Sequence, residues 1–405
     1  MKYCFILLKK RGDYFNLDKL NKEVSSNIRF IAITSSDNIS SKFKEELYDC
    51  HIVKEVDFLT CKQILSDYQK KYIISEFVIV TGDEILLETC AKLRKIFNAN
   101  GTTLVQLSAF QNKRFMKEIA IFGGIKTPRF IEFNKSISCQ DIKEYYHYLE
   151  KMFGQEFIVK PYNGGSSYAI GHIKSSIDLA NWYEQYYLEE DQYIIEEYID
   201  GELFLCDSFI YNEEFKFFAI NKNVNTCLDY SFGKLLGFYP IPKGKLHIKL
   251  KDFNQKILNC LQASDGCYHL EVMIRNDELF FIEIGARPGG NVITHFHEKN
   301  YGIQLYELLL RKDLNILKDS HFHIEKNLYN ACVVFPKVPG EVKKINTPKI
   351  QSNNQIIWNI KVGDYIQNYP TSIIDQGAAE ISIYNTNYEV LVSDIKKLQS
   401  HKIYD

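Results

Sequence analysis

Residues 266–291 constrain the fold of this chain more than any other stretch. They read Gly266-Cys267-Tyr268-His269-Leu270-Glu271-Val272-Met273-Ile274, then Arg275-Asn276-Asp277-Glu278, then Leu279-Phe280-Phe281-Ile282-Glu283-Ile284-Gly285-Ala286-Arg287-Pro288-Gly289-Gly290-Asn291. The pattern predicts two apolar strands joined by a polar turn, each strand carrying one glutamate among Leu, Val, Ile and Phe. An ionised glutamate in such a strand is costly unless something pairs with it. If the turn takes three residues, Asn276 to Glu278, then Arg275 faces Leu279, and Glu271 lies opposite Glu283 on the same face. Two carboxylates so placed repel, and a cation between them resolves the repulsion. A two-residue turn would send them to opposite faces and defeat this reading. The plainer alternative is a strand edge with two solvated glutamates, because period-two alternation also produces such patterns.

The 405 residues suffice for two to four domains. A formal net charge of -2, with 49 Lys and Arg against 51 Asp and Glu, offers no global field to recruit nucleic acid or an anionic membrane. Ten cysteines occur as scattered singles without a Cys-x-x-Cys pair, which suggests reduced thiols and a soluble cytoplasmic protein. The N-terminal apolar run, Phe5 to Leu8 with its neighbours, is too short for a signal peptide or a membrane span.

From residue 1 to about 108, β-rich runs alternate with helical ones. Tyr3 to Leu8, Ile28 to Thr34 and Glu76 to Thr81 read as strands; Leu17 to Val24, Ser40 to Tyr48, Lys62 to Lys71 and Glu84 to Ala99 read as helices. Such alternation implies a parallel sheet covered by helices. No Gly-x-Gly-x-x-Gly follows the first strand, so a dinucleotide site is not expected there. Thr81-Gly82-Asp83-Glu84 forms a polar loop at a strand's carboxyl end, a common place for ligand contacts, although a plain strand-to-helix turn explains it as well.

A helix is expected from Ala109 to Phe122, ending at Gly123-Gly124, with Asn112-Lys113-Arg114-Phe115-Met116-Lys117 near its start. Taken alone, that basic run reads as a solvated helix face. Next, Phe157-Ile158-Val159 delivers Lys160, and the small residues Gly164, Gly165, Ser166 and Ser167 turn the chain into a second strand. Their uncovered N–H groups could approach phosphate oxygens while the lysine adds a point charge; an unliganded hairpin loop is the alternative. It is not a P-loop, because the lysine precedes the glycines. Further on, Ile194-Ile195-Glu196-Glu197-Tyr198-Ile199 is an apolar strand ending in two carboxylates. Extended backbone from Glu197 to Ile199 could offer a C=O and an N–H to one purine edge, and Glu202 stands where ribose hydroxyls could be accepted. Helices are expected from about Leu250 to Ala263 and from Gly302 to Arg311; from Asn330 onward a β-rich pattern closes on a helix over about Tyr388 to Ser400.

Taken together, these segments resemble the ATP-grasp superfamily, and within it the carboxylate-amine ligases related to bacterial L-amino acid ligases. The resemblance covers roughly residues 75 to 400 and is most specific from 156 to 291. It implies a multidomain α/β and α+β chain: an N-terminal Rossmann-like domain at 1–108, a lid-bearing subdomain at 109–195, a metal and phosphate subdomain at 196–325, and a small C-terminal α+β unit at 326–405. By the same resemblance Lys113 and Lys160 would neutralise ATP phosphates, and Asn163 to Ser167 would be the lid loop over the triphosphate. Glu196 would receive the adenine amino group, with backbone help from Glu197 and Ile199, and Glu202 would hold the ribose. Glu271 and Glu283 would bind Mg2+, or Mn2+ in its place, and Arg287 would neutralise the transferring phosphoryl group. Many family members carry a metal-ligating asparagine two residues after the second glutamate; here that residue is Gly285, so the remaining ligands would come from water, phosphates or Asn291.

The activity implied is ATP-dependent ligation of a small-molecule carboxylate to an amine through an acyl phosphate, releasing ADP and phosphate, with a homodimer as the expected assembly. The alternatives are an ATP-binding scaffold of the same fold without turnover, and a carboxylase using bicarbonate. Lys222 reads either as reaching phosphate or as solvated, His269 either as supporting Glu271 or as a packed core residue, and His295 and His297 as candidates to approach the acceptor.

Overall fold

The computed structural model describes residues 1–9, 15–24, 27–35, 39–134, 136, 141–164, 168–188, 190–322, 328–369 and 377–405, apart from the side chains of Asn291 and Val292. Three sheets organise the chain. The first contains β1 (Lys2–Leu8), β2 (Ile28–Thr34), β3 (Asp49–Ile52) and β4 (Glu76–Thr81) in the order β3-β2-β1-β4, all parallel. The sheet's two faces pack against separate apolar clusters, as expected where helices cover both sides of a parallel sheet. The bounds expected for β2 and β4 are met. β3 is additional: its sequence, Asp-Cys-His-Ile, has no apolar run, and it is a strand because it pairs with Ile31–Thr34.

The second sheet holds β5 (Phe130–Glu132), β6 (Phe157–Pro161), β7 (Gly171–Ile173) and β8 (Tyr193–Glu197), antiparallel in the order β5-β8-β6-β7. Two helices, Ile142–Phe153 and Ser176–Tyr186, cover one face with an aromatic core that includes Phe133, Tyr145, Trp182 and Tyr193.

The third sheet has eight strands: β9 (Glu202–Tyr211), β10 (Glu214–Asn225), β11 (Leu236–Pro240), β12 (Gly266–Arg275), β13 (Glu278–Gly285), β14 (Tyr329–Phe335), β15 (Asn353–Trp358) and β16 (Ala379–Asn385). Their order is β13-β12-β9-β10-β11-β14-β16-β15, and each neighbouring pair is antiparallel. The C-terminal α+β unit therefore continues the sheet that carries the two glutamates, through the pairing of β11 with β14.

The lysine-bearing helix runs Lys113–Phe122, four residues shorter at its start than the sequence suggests. Asn112 caps it, its Oδ1 accepting from the Phe115 N–H at 3.0 Å, and Ala109 to Gln111 form a turn that separates it from a short helix, Leu104–Ser108. Met116 and Ala120 of this helix join the same core as Leu270, Val272, Phe281 and Ile284, so the helix lies against the β12–β13 hairpin. Among the described residues no helix is long and apolar enough to cross a membrane.

Candidate active site

The hairpin turn differs from the expected one. Arg275 pairs with Glu278, which leaves a two-residue turn of Asn276 and Asp277, both left-handed at φ 50° and 64°. Such turns suit the twist of a hairpin, and Asn and Asp tolerate that backbone well. By simple alternation the two glutamates would then sit on opposite faces. They do not, because the register shifts between Glu271 and Val272: Val272 pairs with Phe281, Glu271 pairs with Glu283, and Ile282 is the extra residue of a bulge. The bulge restores what the turn would have removed.

Each of the two carboxylate side chains is 29% exposed, and both line one cavity of about 230 Å3. That cavity also takes Lys113, Lys160, Glu196 and Arg287 into its wall. Burial, and then the like charge of Glu283, push the Glu271 carboxyl above its ordinary range despite the pull of His269 and nearby lysines. For Glu283 burial acts the same way, but Lys113, Lys160, Lys117 and Arg287 outweigh it and hold the carboxyl low. Lys113 Nζ stands 3.6 Å from Glu283 Oε2 and donates to the Gly164 carbonyl at 2.5 Å.

Two opposed carboxylates in a partly desolvated cavity are a donor set that fits a hard divalent cation with few protein ligands. Among the described residues no group of three or more His, Cys, Asp or Glu could enclose a metal, so water and substrate oxygens would complete the shell. The backbone at Gly285 carries no ligand atom in its side chain, and the Asn291 side chain lies outside the described residues.

Lys160 Nζ lies 3.0 Å from Glu196 Oε2, and Lys117 Nζ lies 3.2 Å from Glu196 Oε1; all three side chains are buried. Burial pushes the Lys117 ammonium down to about 8, against the attraction of Glu196. For Lys160 burial is outweighed by Glu196 and Glu283, and its ammonium is held above the usual range. Lys117 was not singled out from the sequence, although its i,i+4 spacing from Lys113 puts both on one helix face.

Glu197, also on the cavity wall, pairs its side chain with Arg129, at 2.9 Å, and Arg275, at 3.4 Å, while its N–H donates to the Arg129 carbonyl at 2.8 Å. Ile199 is buried and lines the cavity with Ile158, Ile170, Leu203, Met273 and Ile282, an apolar slot beside the charged end. Glu202 is exposed and bonded to Lys222 on the neighbouring strand, so Lys222 is neither free in solvent nor directed at the carboxylate pair. Gly164 lies on the cavity wall; Gly165, Ser166 and Ser167 fall outside the described residues.

Beneath the hairpin, His269 Nδ1 and Asp207 Oδ1 are 2.8 Å apart, both buried, and His269 Nε2 stands 4.0 Å from Glu271 Oε1. Burial would lower the imidazole pKa, but Asp207 outweighs it and raises it. His297 does not approach an acceptor: it is buried against Phe217 and Tyr301, with Nε2 2.9 Å from Asp207 Oδ2 but out of line for a hydrogen bond. His295 is exposed. Gly289 packs so closely on the pair that a Cβ there would come within 2.8 Å of Asp207 Oδ1 and 3.0 Å of His269 Nδ1. Asp207 had a signal of its own in the sequence, a charged residue inside the apolar run Leu203 to Ile210.

Arg287 is fixed by a residue of the segment that follows β4. Glu84 Oε2 accepts from Arg287 Nε at 2.9 Å and from Nη2 at 2.7 Å. Burial disfavours the guanidinium charge, and Glu84 more than compensates. A larger cleft, of about 520 Å3, is lined by Lys234, Phe335, Glu341, Lys402, Tyr404 and Asp405, away from the opposed glutamates.

Residues 153–295 match the family model of the ATP-grasp domain. The chain is 24% identical over 386 residues to an L-arginine-specific L-amino acid ligase of Bacillus subtilis, covering 91% of this chain and 89% of that one. A D-alanine–D-alanine ligase of Bacillus anthracis is 29% identical over 110 residues, 27% of this chain and 34% of that one. Among solved structures, an L-amino acid ligase from Bacillus licheniformis superposes with a TM-score of 0.71 at 17% identity, covering 98% of this chain and 97% of the other. An N5-carboxyaminoimidazole synthetase from Staphylococcus aureus, complexed with ADP, gives a TM-score of 0.66 at 15% identity with the same coverage.

Proposed function

From an ATP-grasp domain at residues 153–295, within an ATP-grasp fold that runs the length of the chain, we propose an ATP-dependent carboxylate-amine ligase that forms amides of amino acids or similar small metabolites. One observation carries this reading: Glu271 and Glu283 oppose each other in the same cavity as Lys113, Lys160 and Arg287. That is a charge arrangement for a metal-bound polyphosphate on which a third anion must react.

Lys113 and Lys160 would lie along the phosphates, and the apolar slot that includes Ile199 would take the adenine beside Glu196; Glu202, outside the cavity lining, would have to leave Lys222 to hold the ribose. Magnesium held by Glu271 and Glu283 would offset phosphate charge and fix the geometry of the chain of phosphates. A carboxylate is a poor electrophile because its own charge repels nucleophiles. In the first step its oxygen attacks the γ-phosphorus; an O–P bond forms, the bond to the β-phosphate oxygen breaks, and ADP departs. In the second an amine nitrogen attacks the acyl carbon; the C–N bond forms, the C–O bond to phosphate breaks, and the nitrogen loses its proton. The chain's own contribution is positioning and charge: Arg287 would meet the oxygens that gain negative charge in the first step, and the two lysines would hold the departing ADP.

A phosphate-release screen with ATP, Mg2+ and amino acids in pairs tests this. Release that needs both a carboxylate and an amine is the expected result. Nucleotide binding without such release would favour a non-catalytic scaffold. The nine described cysteines, none in a disulfide, fit a cytosolic setting. A homodimer, expected from the family resemblance, is read directly by sedimentation.

A further inference from the structure

Each lysine assigned to the phosphates already holds a carboxylate. Lys113 Nζ stands 3.6 Å from Glu283 Oε2, and Lys160 Nζ stands 3.0 Å from Glu196 Oε2. An ammonium that turns to a phosphate shares one charge between two anions, so nucleotide binding weakens its hold on the acid it leaves. For a buried acid that loss is costly, because water cannot take the cation's place. Glu283 would gain the metal instead. Glu196 would gain no charge, since the adenine amino group can bond to it but is neutral, and the rest of the nucleotide is anionic.

Glu196 is 3% exposed and sits on β8 at the cavity wall. Its other oxygen, Oε1, faces Lys117 Nζ at 3.2 Å. The two are out of line for a hydrogen bond, so what Lys117 supplies is charge. Lys117 lies one turn beyond Lys113 on the helix Lys113–Phe122, and its side chain is fully buried against the β12–β13 hairpin. There Nζ donates to the Phe281 carbonyl at 3.5 Å and stands 5.9 Å from the centre of the Phe281 ring. It does not line the cavity, so it cannot follow Lys160 to the phosphates. Burying an ammonium that touches no ligand is costly, and a second lysine is more than Glu196 needs while Lys160 holds it. We propose that Lys117 is the resident counter-ion of Glu196, which stays behind when a phosphate draws Lys160 away and so lets Lys160 change partners. It is a positioning residue, acting on the nucleotide only through Glu196 and Lys160. This rests on the ligase reading above, in which Lys160 lies along the phosphates.

The test compares calorimetric binding of ADP with Mg2+ and of adenosine, which has no phosphate to draw Lys160, to the full chain at neutral pH. The ratio of the two affinities reports the transfer of Lys160, and effects on the base cancel. In K117M, Glu196 has Lys160 alone, and the preference for ADP is expected to fall about tenfold or more. In E196Q no acid needs a counter-ion, so the preference is expected to rise about threefold or more. Adding K117M to E196Q should then change it by less than about twofold. An unchanged ratio in K117M overturns the proposal. So does an equal fall in both backgrounds, because a merely structural lysine would act without regard to Glu196. If K117M does not fold, E196Q decides alone, and a ratio that stays level or falls there overturns the proposal. Failure of the wild-type chain to bind either ligand overturns it together with the ATP-site reading. A phosphate-release screen that stays silent while the ratios move as stated counts against the ligase reading alone.

Discussion

Glu271 faces Glu283 because Ile282 is an extra residue in its strand. The hairpin turn alone would have separated the carboxylates, and one bulged residue returns them to a single face. The opposition of the two carboxylates therefore depends on a backbone irregularity beside it.

The like charges make this pair a strain on the metal-free protein. Glu271 carries the raised carboxyl, from burial first and then from Glu283, so at neutral pH its ionised form costs stability. E271Q is expected to raise the unfolding free energy of the chelator-treated protein by about 0.5–1 kcal/mol, allowing for partial exposure. Phosphate release should fall on the order of 10²-fold in the same variant. Urea unfolding with EDTA and a Mg2+ titration of turnover measure the two; a less stable E271Q would contradict the repulsion.

Under the proposed function Arg287 would meet the oxygens where phosphoryl charge develops, so R287M should lower the rate of phosphate release by about 10² or more. Binding of the nucleotide should stay measurable, since Lys113 and Lys160 are untouched. Unchanged turnover would refute the role.

Lys117 gives the protein an alkaline signature. Its ammonium is pushed down to about 8, chiefly by burial, whereas an unfolded lysine titrates near about 10.4. Below about pH 8 both states hold the proton and the native state bears the cost of a buried ammonium. Between about 8 and 10.4 the unfolded chain holds a proton that the native state lacks, so stability rises with pH. Relative to K117M, the wild-type protein should gain about 1–3 kcal/mol across that window. A difference between the two that is flat with pH in chemical denaturation would exclude it.

Gly289 has no room for a methyl group beside Asp207 and His269. G289A should cost about 1–3 kcal/mol, through displacement of the loop that leads from Arg287 into the helix Asn291–Tyr301. Because that displacement moves His269 away from Glu271, the Mg2+ requirement should rise along with the loss in melting temperature. A variant that loses stability but keeps its Mg2+ dependence would uncouple the two.

Local pattern carried much of this fold and part of the site. The strands Ile28–Thr34 and Glu76–Thr81, the hairpin, and the lysine–glycine loop are written in runs of apolar residues and their interruptions. The bulge at Ile282 is not, because an isoleucine there fits either register. The significance of Glu84 is not either: its partner lies 203 residues away, and nothing in a polar loop announces which side chain will meet an arginine from another sheet. Lys117 and Asp207 were legible in principle, one by helical spacing and one as a charge within an apolar strand, yet their value depended on knowing that both side chains are buried. Lys113 reads in isolation as a solvated helix residue, and it is buried because its helix packs on the hairpin.

The pairing of β11 with β14 has a mechanical meaning. A sheet stitched by hydrogen bonds from the glutamate hairpin to β15 cannot bend between β11 and β14 without breaking that ladder, so the C-terminal unit acts as a buttress for the strands that carry the two carboxylates. Among the described residues the four-strand sheet bearing Lys160 and Glu196 shares no strand pairing with the eight-stranded one, which it meets through side-chain contacts such as Glu197 with Arg275. Opening and closing around a nucleotide is expected to move that sheet, as a jaw moves on a fixed anvil. Shortening the chain after residue 325 would strip the anvil of its brace and leave the edge of β11 bare and prone to self-association.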